Sequence, residues 1–150
     1  MAPEPPQNAL WSEAEKPCVV FIEGGRCCLP LGPIGQRIID ERAAQDMKLL
    51  RDCLTFTDGD RTVTVGWHLP LRNCDYALLV AEQALGKDEG RVCYSSINPF
   101  TTYEIRDAAR QTAYRKLFAA DLHLPEISYI YVDQHGHDVS DVYRATPDWP

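Results

Sequence analysis

Near its carboxy-terminal end the chain places Asp133, His135, His137 and Asp138 within the run VDQHGHD, a set of side chains that can bind ions. Imidazole and carboxylate are ligands for zinc or nickel, and a His-x-His in a strand or turn can present two nitrogens to one ion. A complete site needs a third protein ligand, which His68 or His123 supplies only if folding brings it near. The same residues also suit an exposed polar turn with no ligand.

Two further patterns could carry chemistry. Gly24-Gly25-Arg26-Cys27-Cys28, followed by Gly32-Pro33-Ile34-Gly35, could cradle an anion, because glycines permit close approach and a helix start offers free N–H groups. It lacks the Lys-Ser/Thr ending of a phosphate-binding loop. Cys27 or Cys28 could act as a thiol nucleophile if a histidine lay beside it and Arg26 lowered its pKa. Neighbouring residues on a strand face opposite ways, so at most one of these thiols can line a given cleft. Ser95 and Ser96 have no G-x-S-x-G setting.

Composition narrows the classes. The 150 residues suit one domain, and 45% hydrophobic with 25% charged residues is ordinary globular composition. No apolar run approaches the roughly 20 residues needed to cross a bilayer. The first residues do not have the basic-then-apolar order of a secretory signal, so the expected location is cytoplasmic, with no membrane partner. In that reducing setting the six cysteines are expected to be thiols that behave as small hydrophobes. No cofactor is implied.

Net charge is −7, and it is polarised: from Asp121 onward six carboxylates face one base, Arg144. Such a surface repels phosphate backbones and favours a protein partner with a basic surface, chiefly through encounter rate and orientation. The helix at Thr101 is slightly basic through Arg106, Arg110, Arg115 and Lys116, but Glu104 and Asp107 dilute it, which disfavours nucleic acid as a partner.

These side chains must be positioned by elements that the spacing suggests. Residues 1–16 are expected to be a flexible Pro-rich tail, 17–145 a single α+β domain, and 146–150 a short tail. Cys18–Glu23 and Cys27–Leu31 read as a first hairpin. A helix opened by Pro33 follows, with Ile38, Ile39, Ala43, Met47, Leu49, Leu50 and Cys53 on its apolar face. Arg42 and Asp46 fall inside that apolar arc and are expected to pair. Leu54–Thr57 and Arg61–Leu69 form a second expected hairpin around Asp58-Gly59, with Val63 and Val65 on one face. Asn73 is expected to cap a nearly all-apolar helix that Gly86 ends. A short strand over Arg91–Ile97 precedes a helix capped by Thr101, with Glu104 closing a capping box. That helix's ridge, Ile105, Ala109, Ala113 and Leu117, should face the sheet. Ile127–Asp133 and Val139–Ala145 complete a last hairpin, with Gly136 at positive φ.

The expected fold is therefore α+β in the order ββαββαβαββ, a mainly antiparallel mixed sheet with three helices packed chiefly on one face. The expected function is a non-enzymatic protein-binding module: an inhibitor, an immunity or anti-defence factor, or a chaperone. Asp133, His135, His137, Asp138, Asp141 and Tyr143 would contact the partner. The alternative is a small cytosolic enzyme using a metal at His135 and His137 or a thiol at Cys27 or Cys28.

Overall fold

The computed structural model describes residues 33–55, 61–66, 69–91 and 94–145. The expected first hairpin, both tails, Trp67 and His68 lie outside them. Among the described residues there are five helices and one two-stranded sheet: α1 (Pro33–Asp40), α2 (Ala44–Thr55), β1 (Thr62–Thr64), α3 (Asn73–Asp88), α4 (Tyr103–Phe118), β2 (Ile130–Val132) and α5 (Ser140–Ala145). The strands run parallel, with Thr62 opposite Ile130, Val63 opposite Tyr131 and Thr64 opposite Val132. This overturns the mainly antiparallel α+β sheet with three helices. The described chain is mostly helical, and its helices pack mainly on one another.

The centre is α3. From Cys74 to Gly86 only Gln83 and Leu85 are not buried, in keeping with its nearly all-apolar sequence. Its start is Arg72 rather than Asn73: the Arg72 N–H donates to Asp75 Oδ2 at 2.8 Å, which satisfies a backbone donor at the helix entry. It also runs past Gly86 to Asp88 before Gly90, at φ 74°, turns the chain. Leu50, Cys53 and Leu54 of α2, Ile34 and Ile38 of α1 and Ala113 of α4 pack around it as one apolar cluster.

The expected single helix after Pro33 is two helices. Arg42 breaks it by taking a left-handed conformation, φ 52°, which costs a non-glycine residue roughly 1–2 kcal/mol. The compensation is tertiary: its guanidinium donates to the Ala84 carbonyl at 2.8 Å and to Asp88 Oδ2 at 2.7 Å, both on α3. Arg42 is thus not the partner of Asp46, which instead accepts from Arg37 at 3.2 and 3.3 Å. Leu54 and Thr55, expected in a strand, end α2, because Leu54 is wholly buried against α3.

Helix α4 starts one residue later than expected. Thr102 caps it through Ile105 N, and the Glu104 carboxylate turns away to the Tyr131 hydroxyl and Arg144. Its buried face is Tyr103, Arg106, Arg110 and Ala113, not the ridge through Ile105, which is 56% exposed. Ala109 and Leu117 do pack inward, but against the helical cluster rather than a sheet. Tyr94–Asn98 forms no strand.

A second apolar cluster lies under the strands, where Val63, Val65, Leu69, Tyr103, Tyr131 and Tyr143 meet. Val63 and Val65 are buried while Thr62 and Thr64 are exposed, the alternation expected of a half-covered strand. The segment expected as a final strand, Val139–Ala145, is instead the short helix α5. Asp138 accounts for this: its Oδ1 accepts from Ser140 N at 2.9 Å and Ser140 Oγ at 2.6 Å, a side-chain cap that starts a helix. Only the Val132–Asp138 bridge remains of the antiparallel pairing.

Candidate functional site

The connection between β2 and α5 holds four of the six residues expected at a partner surface, Asp133, His135, His137 and Asp138. Asp133 organises it. Its Oδ1 accepts from His135 N at 2.8 Å and His137 N at 2.9 Å, and its carbonyl accepts from Gly136 N at 3.0 Å. Gly136 takes the expected positive φ, 82°. The His137 imidazole Nδ1 lies 3.2 Å from Asp133 Oδ2. At the other end Asp138 is held by the Ser140 contacts already described. Below the turn, Val139 N donates to the Tyr131 carbonyl at 2.8 Å, and Tyr131 N donates to Ser140 Oγ at 2.9 Å. The turn therefore stands on the buried edge of β2.

Both anchored carboxylates are held below the ordinary aspartate range. For Asp133 the leading cause is the backbone N–H of His137, and for Asp138 it is the Ser140 hydroxyl. Each is ionised throughout the neutral range. Asp141, in the first turn of α5, is exposed. Tyr143 is not part of this surface: it is 2% exposed, its ring packs 5.0 Å from that of Tyr131, and its hydroxyl donates to the Phe100 carbonyl. It supports the turn from inside.

The metal and thiol alternatives fare differently. The His135 and His137 rings lie 6.2 Å apart, and among the described residues no group of three or more His, Cys, Asp or Glu is arranged to hold a metal ion. Cys27 and Cys28 lie outside the described residues. Cys53 and Cys74 are free and buried, and burial pushes each thiol up to about 12, the opposite of what a nucleophile needs.

A buried polar network joining α3, α4 and the segments around Leu69, Pro99 and Tyr129 was not foreseen from the sequence. Asp75, fully buried, accepts from Arg72 N, Nε and Nη2 and from Arg106 Nη1. Arg72 also donates to the Tyr129 hydroxyl at 3.0 Å and to Asp107 at 2.8 Å, and its guanidinium lies 4.3 Å from the Tyr103 ring centre. Arg106 adds the Leu69, Pro70 and Pro99 carbonyls, and Arg110 joins Asp107 to the Leu54 carbonyl. The two guanidiniums around Asp75 outweigh its desolvation and keep the carboxyl below the usual range. With its lone pairs so occupied, Asp75 is a structural anion and no general base. The available signal was the spacing of Arg106 and Arg110, one helical turn apart; weighing them only as part of a slightly basic helix hid it.

The network also shapes the outer field. Arg72, Arg106 and Arg110 are buried, and Arg115 and Arg144 pair with Asp121 and Glu104. Among the described residues Asp138 and Asp141 have no Lys or Arg within ion-pair distance. No helix of the described residues is long and apolar enough to cross a membrane. Compared with family models, curated proteins and solved structures, the chain matches none.

Proposed function

We propose that this chain is a non-enzymatic protein-binding module that docks a basic protein surface through the β2–α5 turn, with Asp133, His135, His137, Asp138 and Asp141 in contact and Tyr143 bracing them from below. The observation that carries this is the fixing of two carboxylates, the half-buried Asp133 and the exposed Asp138, by backbone N–H groups of the turn and of the helix start that follows it. A pre-organised anion gives up less side-chain freedom on binding than a mobile one. The matching chemistry on the partner is lysine or arginine, and the class of activity is that of an inhibitor, an immunity or anti-defence factor, or a chaperone. The proposal places the protein in the cytoplasm, where free thiols such as Cys53 and Cys74 persist.

The test is affinity capture from the native host with the wild-type chain and with a Asp138→Lys, Asp141→Lys variant, followed by association kinetics with the protein recovered. The expected result is a basic protein retained by the wild type alone, with an association rate that falls steeply as salt rises. Equal recovery by both chains, or rates indifferent to salt, would overturn the proposal.

A further inference from the structure

Of the buried acids, Asp46 and Asp75 have arginine partners, but Glu82 does not. It sits on α3, is 5% exposed, and has no Lys or Arg within ion-pair distance among the described residues. All its hydrogen-bond partners are neutral and come from one short segment. Ser96 N donates to Oε1 at 3.0 Å, Ser95 Oγ reaches the same oxygen at 3.4 Å, and Ser96 Oγ makes a very short contact with Oε2. Lys116 on α4 acts on Glu82 through space, and Arg91, beside Gly86, pairs with Glu89 and stacks 4.8 Å from the Tyr94 ring centre.

The segment lies directly on the helix. A Cβ added at Gly86, one turn beyond Glu82, would come 2.5 Å from Tyr94 Cβ, so the missing side chain is what lets Tyr94 rest there. Ile97 then packs against the helical apolar cluster. Tyr94–Ile97 is thus a strap across α3, seated at one end on a glycine and tied at the other to a carboxylate.

We propose that this strap is pH-responsive, closing more tightly as Glu82 takes up a proton and loosening as it gives the proton up. Strapped, an ionised Glu82 is shut away from water with neutral donors only; released, it is hydrated. A neutral carboxyl suits the strapped form better. Its O–H donates to Ser96 Oγ, the other oxygen still accepts from Ser96 N and Ser95 Oγ, and no charge is buried. Ser96 is exposed, so its hydroxyl proton turns to water. Burial raises the Glu82 pKa above the ordinary glutamate value, in the same sense. The strap's stability is therefore full below that ordinary value and is lost as pH rises through the raised one.

Hydrogen exchange of the full chain, corrected for intrinsic rates and read at the Ser96 amide and its neighbours between pH 5 and 8, tests this. The expected result is strap protection that increases on acidification, by about tenfold for each unit separating the strapped and released pKa values, while α3 amides hold steady. Glu82→Gln should keep the strap protected and flatten its pH profile, which separates Glu82 from the histidines. A wild-type strap whose protection is flat, or falls toward acid, overturns the proposal, and so does Glu82→Gln with an unchanged slope. If the variant does not fold, the wild-type profile alone decides.

Discussion

Arg106 Nη1 donates to Asp75 Oδ2 at 2.9 Å with both side chains wholly buried, joining α4 to α3. Such a pair adds little beyond what an apolar substitute would, but losing one member leaves a charge stranded. Asp75→Ala is expected to lower unfolding stability by about 3–5 kcal/mol. Urea denaturation at pH 7 measures it, and a change below about 1 kcal/mol would show that the network is dispensable.

Acid should act through the same carboxyl. The folded-state pKa of Asp75 is depressed by Arg72 and Arg106, so its contribution is present above the unfolded value of about 3.9 and is lost as pH falls through the lower folded one. Wild-type stability is expected to drop steeply below about pH 4, and in Asp75→Asn this loss should be shallower. Circular dichroism melts across pH 2.5–7 would reveal it.

The Tyr131 hydroxyl donates to Glu104 and accepts from Tyr103 N at 3.0 Å, and burial raises its pKa. A raised folded value means stability that holds below the unfolded tyrosine pKa, about 10, and disappears above it. Tyr131→Phe, which strands the Tyr103 N–H, should cost about 1–3 kcal/mol at neutral pH. In the wild type, tyrosinate absorbance from Tyr103, Tyr129 and Tyr131 should rise together with alkaline unfolding rather than before it.

Cys53 and Cys74 are expected to resist a thiol reagent at pH 8 and to label only at the rate of unfolding. Peptide-level mass spectrometry after timed labelling distinguishes them from the remaining cysteines. Fast modification of either in the native chain would contradict their burial.

Replacing glycine by alanine inside a helix usually stabilises it by roughly 1 kcal/mol. At Gly86 the sign should reverse, because the new methyl meets Tyr94 Cβ, which cannot swing away without moving its backbone. A loss of about 1–3 kcal/mol is expected for Gly86→Ala, and thermal denaturation gives the sign directly.

What could be read from the chain follows from how local each signal was. Helices α3 and α4 were legible because their runs exceed three turns, although Arg72 and Thr102 rather than Asn73 and Thr101 cap them and α4 ends on Ala119 without a glycine. The turn at Gly136 was legible because a glycine readily takes positive φ. Arg42 was not: its left-handed backbone is fixed by Ala84 and Asp88, more than forty positions away. Val139, Val142 and Tyr143 suggested a strand by type, but the Asp138 cap on Ser140 decided for helix. At the candidate site Asp133 and Asp138 lie on one turn and Asp141 in the first turn of α5, while Tyr143 was misjudged because an aromatic between exposed neighbours reads the same whether its ring points out or in.

The pairing of Thr62–Thr64 with Ile130–Val132 sets an order of events on the ribosome. Strand β1 is synthesised before both long helices, yet the neighbour that covers its hydrogen-bonding groups is made after them. A nascent chain can thus assemble α1 to α4 early, while Val63 and Val65 stay uncovered until the tyrosine-bearing strand arrives, and that interval is when the chain is most open to mispairing.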